Sequence, residues 1–507
     1  MGISARLGAA IAAGVPVLVL VSMGPVAALA GTPSVAVWLV SAFVGLLMAL
    51  MFAELAGAHP NVNGGVATLA AAVLRPRSQA LARIGQWSYW LGWSPALAIN
   101  GLLVGTYLQR LLLPDSPSWA VVLIAATVLS ISVGINHFGM RVDGRLQLVL
   151  VGCVVVVVVA LFGGAASRGE LDLSRLVPFA PPGGWFAASG WLALSGCLFI
   201  AGWSAYGAEI ALAYATRYRG GVRDAVRVTV FVALASVVAF ALVPFLLVVS
   251  VGVAAVELEP AAAFLALTQR SSTLASVVVL AVLTLALLLG LNMIAIASSW
   301  TLNQMARSGD AWPFLAKLNR HGMPSNALRF DLVVNVVLLT VLTVSTGGHT
   351  GEVPIALLAA ANVGYIVSMC IALTAAWLNH RDARVRGLIR LRPGLMRLAP
   401  VIVGFNLVLL ASAGYAWGWR NVAIGGAVLT ALALLATWQA GRASEPTVEL
   451  PACWGRAGVV TTGAQGLVVR ANPQVRGAET ARPGGPDDGS WTYQIDPEQA
   501  STARAAH

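Results

Sequence analysis

The chain has 507 residues, 58% of them hydrophobic and only 10% charged, far below the charged share of a soluble domain, which excludes a water-soluble globular enzyme. The net charge of +11 is carried almost wholly by arginine and suits loops that face anionic lipid rather than nucleic acid. Cys153, Cys197, Cys370 and Cys453 lie far apart, and neither zinc-ligand spacing nor a phosphate-binding glycine loop occurs, so a disulfide framework, a metalloprotease and an ATP-driven pump find no support, and no cofactor or resident metal is expected.

Apolar runs of about 20 residues are long enough to cross a bilayer as helices. Twelve occur, at 9–30, 34–56, 86–112, 119–136, 146–165, 187–214, 228–252, 273–301, 330–346, 353–378, 398–416 and 420–439. The first is too long for the core of a cleavable leader and is expected to stay in the membrane. It is interrupted at Ser22-Met23-Gly24-Pro25, where proline removes a helix hydrogen bond and glycine relaxes the backbone. Alternate loops carry Arg6; Arg75, Arg77 and Arg83; Arg141 and Arg145; Arg217 to Arg227; Arg307 to Arg329; and Arg381 to Arg397. The loops between them are short or acidic, so both termini are expected in the cytoplasm, a parity that twelve spans satisfy.

The sixth run holds the residue with the clearest cost. Gly202-Trp203-Ser204-Ala205-Tyr206-Gly207-Ala208-Glu209 puts two glycines and a carboxylate in the middle of an apolar stretch. A charge at bilayer depth costs several kcal/mol unless it faces a cavity or a partner. Glycines let the helix open there, which frees backbone groups to hold a polar solute. Asn100, Ser298, Ser299 and Asn362 are further polar groups at membrane depth, of a kind that commonly bridges neighbouring helices. Residues 441–507 are rich in Gly, Pro, Arg and Thr; too little apolar surface is present to fold alone, and a disordered cytoplasmic tail is expected, with Pro451-Ala452-Cys453-Trp454 against the membrane surface.

Four loop motifs occur in order. They are Glu54-Leu55 with Pro60 and Gly64-Gly65, then Tyr89-Trp90-Leu91-Gly92-Trp93, then Asn136-His137-Phe138-Gly139-Met140-Arg141 to Arg145-Leu146-Gln147, and last Ala306-Arg307-Ser308-Gly309 to Pro313 with Asn319 to Pro324. In this order, across most of residues 7 to 440, they resemble the permeases of the amino acid–polyamine–organocation (APC) superfamily. The resemblance implies an all-α polytopic membrane protein with twelve transmembrane helices. Spans one to five and six to ten would form a five-plus-five inverted repeat, with spans eleven and twelve peripheral. It also implies that the first helix of each repeat is unwound at the midplane, where substrate binds.

On that basis Ser22, Met23 and Gly24 are expected to meet a substrate carboxylate, since N–H groups freed at a half-helix N-terminus carry partial positive charge. Carbonyls of Ala201, Trp203 and Ala205, in the Ala201 to Gly207 stretch that includes Gly202, Ser204 and Tyr206, are expected to meet an ammonium group. Trp203-Ser204-x-x-Gly207-x-Glu209 resembles the span-six pattern of the arginine/agmatine-type exchangers. The resemblance makes Trp203 a lid over substrate and Glu209 a binding or protonatable group; the plainer alternatives are core packing for Trp203 and a helix-bridging hydrogen bond for Glu209. Many proton-coupled relatives carry a lysine in span five, but this chain has none there, which makes Glu209 the leading protonatable group. Ser298 and Ser299 are sodium candidates. The implied function is secondary active transport of amino acids or related amines across the cytoplasmic membrane, proton-coupled or by exchange, with H+ or Na+ as possible co-substrate. A carrier of another small zwitterion or organic cation, and a membrane sensor with the tail as output, are the alternatives.

Overall fold

The computed structural model describes residues 2–258, 260–268, 273–345, 353–382, 387–440, 459–463 and 466–470. Over its described residues each of the twelve apolar runs is mostly helical, and among the described residues ten helices are long and apolar enough to cross a membrane. They are Ala5–Ala30, Ser34–Ala58, Trp119–Asn136, Met140–Ser167, Ala188–Arg217, Gly221–Val251, Leu274–Arg307, Ser325–Val344, Val353–Arg381 and Pro393–Trp417. The expected run at 86–112 is two helices, Gln79–Trp93 and Pro95–Leu112. They part at Ser94 because Pro95 has no N–H to donate to the preceding turn. The run at 420–439 is the Trp419–Ala440 helix, separated from Leu398–Trp417 by Gly418 at φ 82°.

Among the described residues, one apolar helix of at least ten residues lies wholly outside the expected runs. Gly65–Leu74 has ten residues and is about 15 Å long, half a bilayer core. It starts from two successive glycines in the left-handed region, Gly64 at φ 88° and Gly65 at φ 79°, which explains the glycine pair of the first motif.

The expected interruption of the first helix is one to two turns away from where the sequence suggests. Val19–Ala30 runs as a continuous helix with Pro25 inside it. The chain departs from regular helix at Ala13 and Leu18, around Gly14-Val15-Pro16, where Ala13 and Leu18 donate to carbonyls three residues back, Ala10 at 3.3 Å and Val15 at 3.0 Å. Both segments pair a proline with a glycine. Pro25 is absorbed by a well-packed helix, as prolines in membrane helices often are, whereas Pro16 cannot donate to Ala12 just after the turn at Ala13.

Two buried acids bind helix ends. Asp310, which is buried, accepts from Arg83 Nε at 3.1 Å and from Arg75, joining the end of the Thr273–Arg307 helix to the Gly65–Leu74 and Gln79–Trp93 region. Trp87 Nε1 donates to the Asp310 carbonyl at 3.2 Å. Glu54 takes His380 Nδ1 at 2.7 Å and the Leu391 N–H at 2.8 Å, so its two oxygens tie Ser34–Ala58 to the end of Val353–Arg381 and the segment after it. These charges therefore have structural partners, which explains the acidic residue of the first motif and Asp310 of the last.

In a second unit, after Thr437, the described residues of the expected tail form a two-stranded antiparallel hairpin, Val459–Gly463 with Gly466–Arg470. The rest of the expected disordered tail, including Pro451 to Trp454, lies outside the described residues.

Candidate functional site

The second interruption falls where the sequence places it. Ala188–Ala205 is an α-helix, and after Tyr206 the chain continues as the tighter 3-10 turns of Gly207–Arg217. Glu209 sits in the first turn of that segment and is fully buried. Its carboxylate accepts Tyr89 Oη at 2.8 Å on one oxygen and Tyr365 Oη at 3.3 Å on the other. Two hydroxyl donors from separate helices thus satisfy a charge that bilayer depth would otherwise penalise.

An aromatic cage surrounds this acid. Trp93 lies 5.3 Å from Tyr365, 5.4 Å from Trp203 and 6.5 Å from Tyr89 by ring centroid, and the Tyr89 and Tyr365 rings are 6.4 Å apart. All four rings are fully buried. The Tyr-Trp-Leu-Gly-Trp motif accounts for half of it: Tyr89 and Trp93 are four residues apart and share one helix face. Between them, Gly92 offers its carbonyl to Trp203 Nε1 at 2.9 Å. A Cβ on Gly92 would stand 2.6 Å from Tyr365 Cβ and 2.8 Å from its Cα, so glycine is what lets the two helices close the cage. Gly65 does the same for Tyr89, whose Oη would be 3.1 Å from a Cβ at that position. A row of π faces beside a carboxylate is suited to a cationic ammonium or guanidinium group.

The two interruptions meet. Ser204 Oγ donates to the Leu18 carbonyl at 3.2 Å and lies 3.3 Å from Ser22 Oγ. A Cβ on Gly207 would touch both Trp93 and Val15 at 3.2 and 3.3 Å. Asn100 Oδ1, without a hydrogen-bond partner, faces Gly290, which also approaches Leu18 and Gly14. Ser22, Trp203, Ser204, Gly207 and Glu209 are thus brought together around the junction. Met23 and Gly24 are not part of an unwound stretch; they lie inside Val19–Ala30, where backbone N–H groups go to the helix's own carbonyls. Ala201, Gly202 and Ala205 lie inside Ala188–Ala205, and the Gly202 carbonyl is taken by the Tyr206 N–H at 3.0 Å. Tyr206 turns its hydroxyl to Asn406 Oδ1 at 3.2 Å.

The sodium candidates have other neighbours. Ser299 Oγ donates to the Ile296 carbonyl of its own helix at 2.9 Å. Ser298 faces Asp331, a buried acid that accepts Trp90 Nε1 and Ser94 Oγ, each at 2.9 Å. Asn362, another weak candidate, donates to the Phe199 carbonyl at 2.6 Å. Among the described residues no cluster of three His, Cys, Asp or Glu side chains could hold a metal ion.

Comparison with known proteins agrees with this architecture. The family model described as "Amino acid permease" matches residues 8–437. The amino-acid permease RocE of Bacillus subtilis (strain 168) is 30% identical over 138 residues, 27% of this chain and 28% of that protein. The aligned stretch therefore spans under a third of that relative's length, whereas the family model covers both interruptions, the cage and Glu209. The chain belongs to the amino acid permease family.

Proposed function

We propose that the chain is a secondary active transporter that carries amino acids or related amines across the cytoplasmic membrane by alternating access. In this reading twelve helices cross the membrane with both termini in the cytoplasm. The first five and the next five form the inverted repeat, and residues 441–507 are a cytoplasmic tail. Substrate sits between the half-helix ends at Leu18–Leu20 and at Tyr206–Gly207. The observation that carries the reading is Glu209, held by two tyrosine hydroxyls beside a cluster of buried aromatic rings where the two interruptions pack together.

The chemistry favours an amine end near the cage. Glu209 and the faces of Trp93, Trp203, Tyr89 and Tyr365 complement an ammonium or guanidinium group. N–H groups at the start of Val19–Ala30 complement a carboxylate. The cage is closed to solvent in this conformation, so loading requires the first and sixth spans to move against the helices that supply Tyr89, Trp93 and Tyr365. Protonation of Glu209, or exchange of one amine for another, would couple that movement to a gradient.

Thermal-shift and uptake screening of the full chain in proteoliposomes against the twenty amino acids and common amines tests the proposal. Saturable uptake of at least one of them is expected, strongest among amines and cationic or neutral amino acids. Binding of none of them would overturn it.

A further inference from the structure

A second buried acid lies away from the cage. Asp143, in the first turn of Met140–Ser167, is fully buried and has no ion-pair partner among the described residues. One of its oxygens accepts Asn292 Nδ2. Asn292 Oδ1 in turn accepts Asn136 Nδ2 at 2.6 Å and Ser132 Oγ at 3.1 Å. Both Asn136 amide hydrogens are spent, the second on the Ser132 carbonyl at 3.0 Å. Gln147, one turn after Asp143 on the same face, reaches only the Leu289 carbonyl at 3.5 Å. The outcome is a surplus of acceptors: among the described residues, Asp143 Oδ2, Asn136 Oδ1 and Gln147 Oε1 are all buried without a donor.

Buried acceptors are nearly always satisfied, and two amide oxygens with an uncompensated carboxylate demand positive charge. Among the described residues, the hydrogen bond that the carboxylate accepts comes from a neutral amide and not from a charged group. Arg141 donates to the Gly2 carbonyl, and His137 Nδ1 is engaged with the Val133 carbonyl at 2.7 Å. From the 3-10 segment, Tyr214 approaches Asp143 but directs its hydroxyl to the Gly8 carbonyl at 3.5 Å.

We propose that Asp143, Asn136 and Gln147 form a binding site for a monovalent cation, a proton on the carboxylate or Na+ shared by the three oxygens. Resting on the transporter reading above, the site would hold the coupling ion. Its link to substrate is physical. The Leu289 carbonyl that Gln147 approaches also abuts Gly14 at the interruption of the first helix, where a Cβ would stand 2.8 Å away. Filling the site draws Gln147 and the carboxylate together and so biases how the first helix packs on Thr273–Arg307.

The test uses the full chain without substrate. Thermal stability is followed as choline chloride is replaced by NaCl, which reads Na+. Infrared difference spectra between acid and alkaline buffer read the carbonyl band of a protonated carboxylic acid. The wild type should show one response, Asp143→Asn should abolish it, and Gln147→Leu, which keeps the charge but removes one oxygen, should weaken it about tenfold. Glu209→Gln should keep it, which separates this site from the cage. The proposal is overturned if the wild type shows neither response, if Asp143→Asn retains it, or if Gln147→Leu leaves it unmoved. Should Asp143→Asn fail to fold, the Gln147→Leu titration decides. Any of these failures leaves amino acid binding in the proteoliposome screen untouched.

Discussion

Replacing Tyr89 by phenylalanine removes one oxygen and should be costly. Its hydroxyl donates to Glu209 Oε2 at 2.8 Å in a site that solvent does not reach. A hydrogen bond to a charged group contributes roughly 1.5–3 kcal/mol, and leaving its acceptor unpaired in the interior forfeits that amount. Tyr365→Phe removes a longer contact of 3.3 Å and should cost less, near the ~1 kcal/mol of an ordinary hydrogen bond. The assay is reversible unfolding in mixed micelles of wild type, Tyr89→Phe, Glu209→Gln and the double variant. Because the two groups share one bond, the double variant should lose about 1–2 kcal/mol less than the sum of the single losses. Additivity within ~0.5 kcal/mol, or a larger loss for Tyr365→Phe than for Tyr89→Phe, would refute the geometry assigned to Glu209.

Gly92→Ala forces a Cβ against Tyr365 backbone and should cost about 1–3 kcal/mol, whereas Gly152→Ala, with nothing within 4 Å, should stay within ~0.5 kcal/mol in the same unfolding assay. Asp310→Ala should destabilise toward the lower end of about 3–5 kcal/mol, because Arg75, with a third of its side chain exposed, can turn to water; Arg75→Ala should cost less, since Arg83 remains. Glu209→Gln should flatten the pH dependence of uptake in proteoliposomes; a profile superimposable on the wild type would remove Glu209 from proton linkage.

What could be read in the sequence follows from cost. Glu209 is conspicuous because an acid in an apolar run is expensive, and the glycines around it located the second interruption within a residue or two. The first interruption was less legible because Gly14-Val15-Pro16 and Ser22 to Pro25 offer the same chemistry, and the former also packs closely against Leu289 and Gly290 on a distant helix. Tyr365 joins Glu209 across 156 residues of chain, a pairing that no local pattern announces. Tyr89 and Trp93 were visible as a motif, and their spacing of four put them on one face, but their partner was not. Asp143 sits in the first turn of its helix and Asp331 in the second turn of Ser325–Ser345, where a carboxylate in sequence looks like an ordinary loop charge. Their burial arises from neighbours on other helices, so it could not be read from their own segments.

The central claim is that substrate occupies the cage beside Glu209. Its most direct test is equilibrium binding of the tightest amino acid or amine from the screen to purified wild type, Trp203→Leu and Glu209→Gln. Loss of a cation–π face or of the carboxylate should weaken binding by about tenfold or more, on the order of 1–2 kcal/mol, with the overall fold retained. Unchanged affinity in both variants would put the substrate elsewhere and contradict the account.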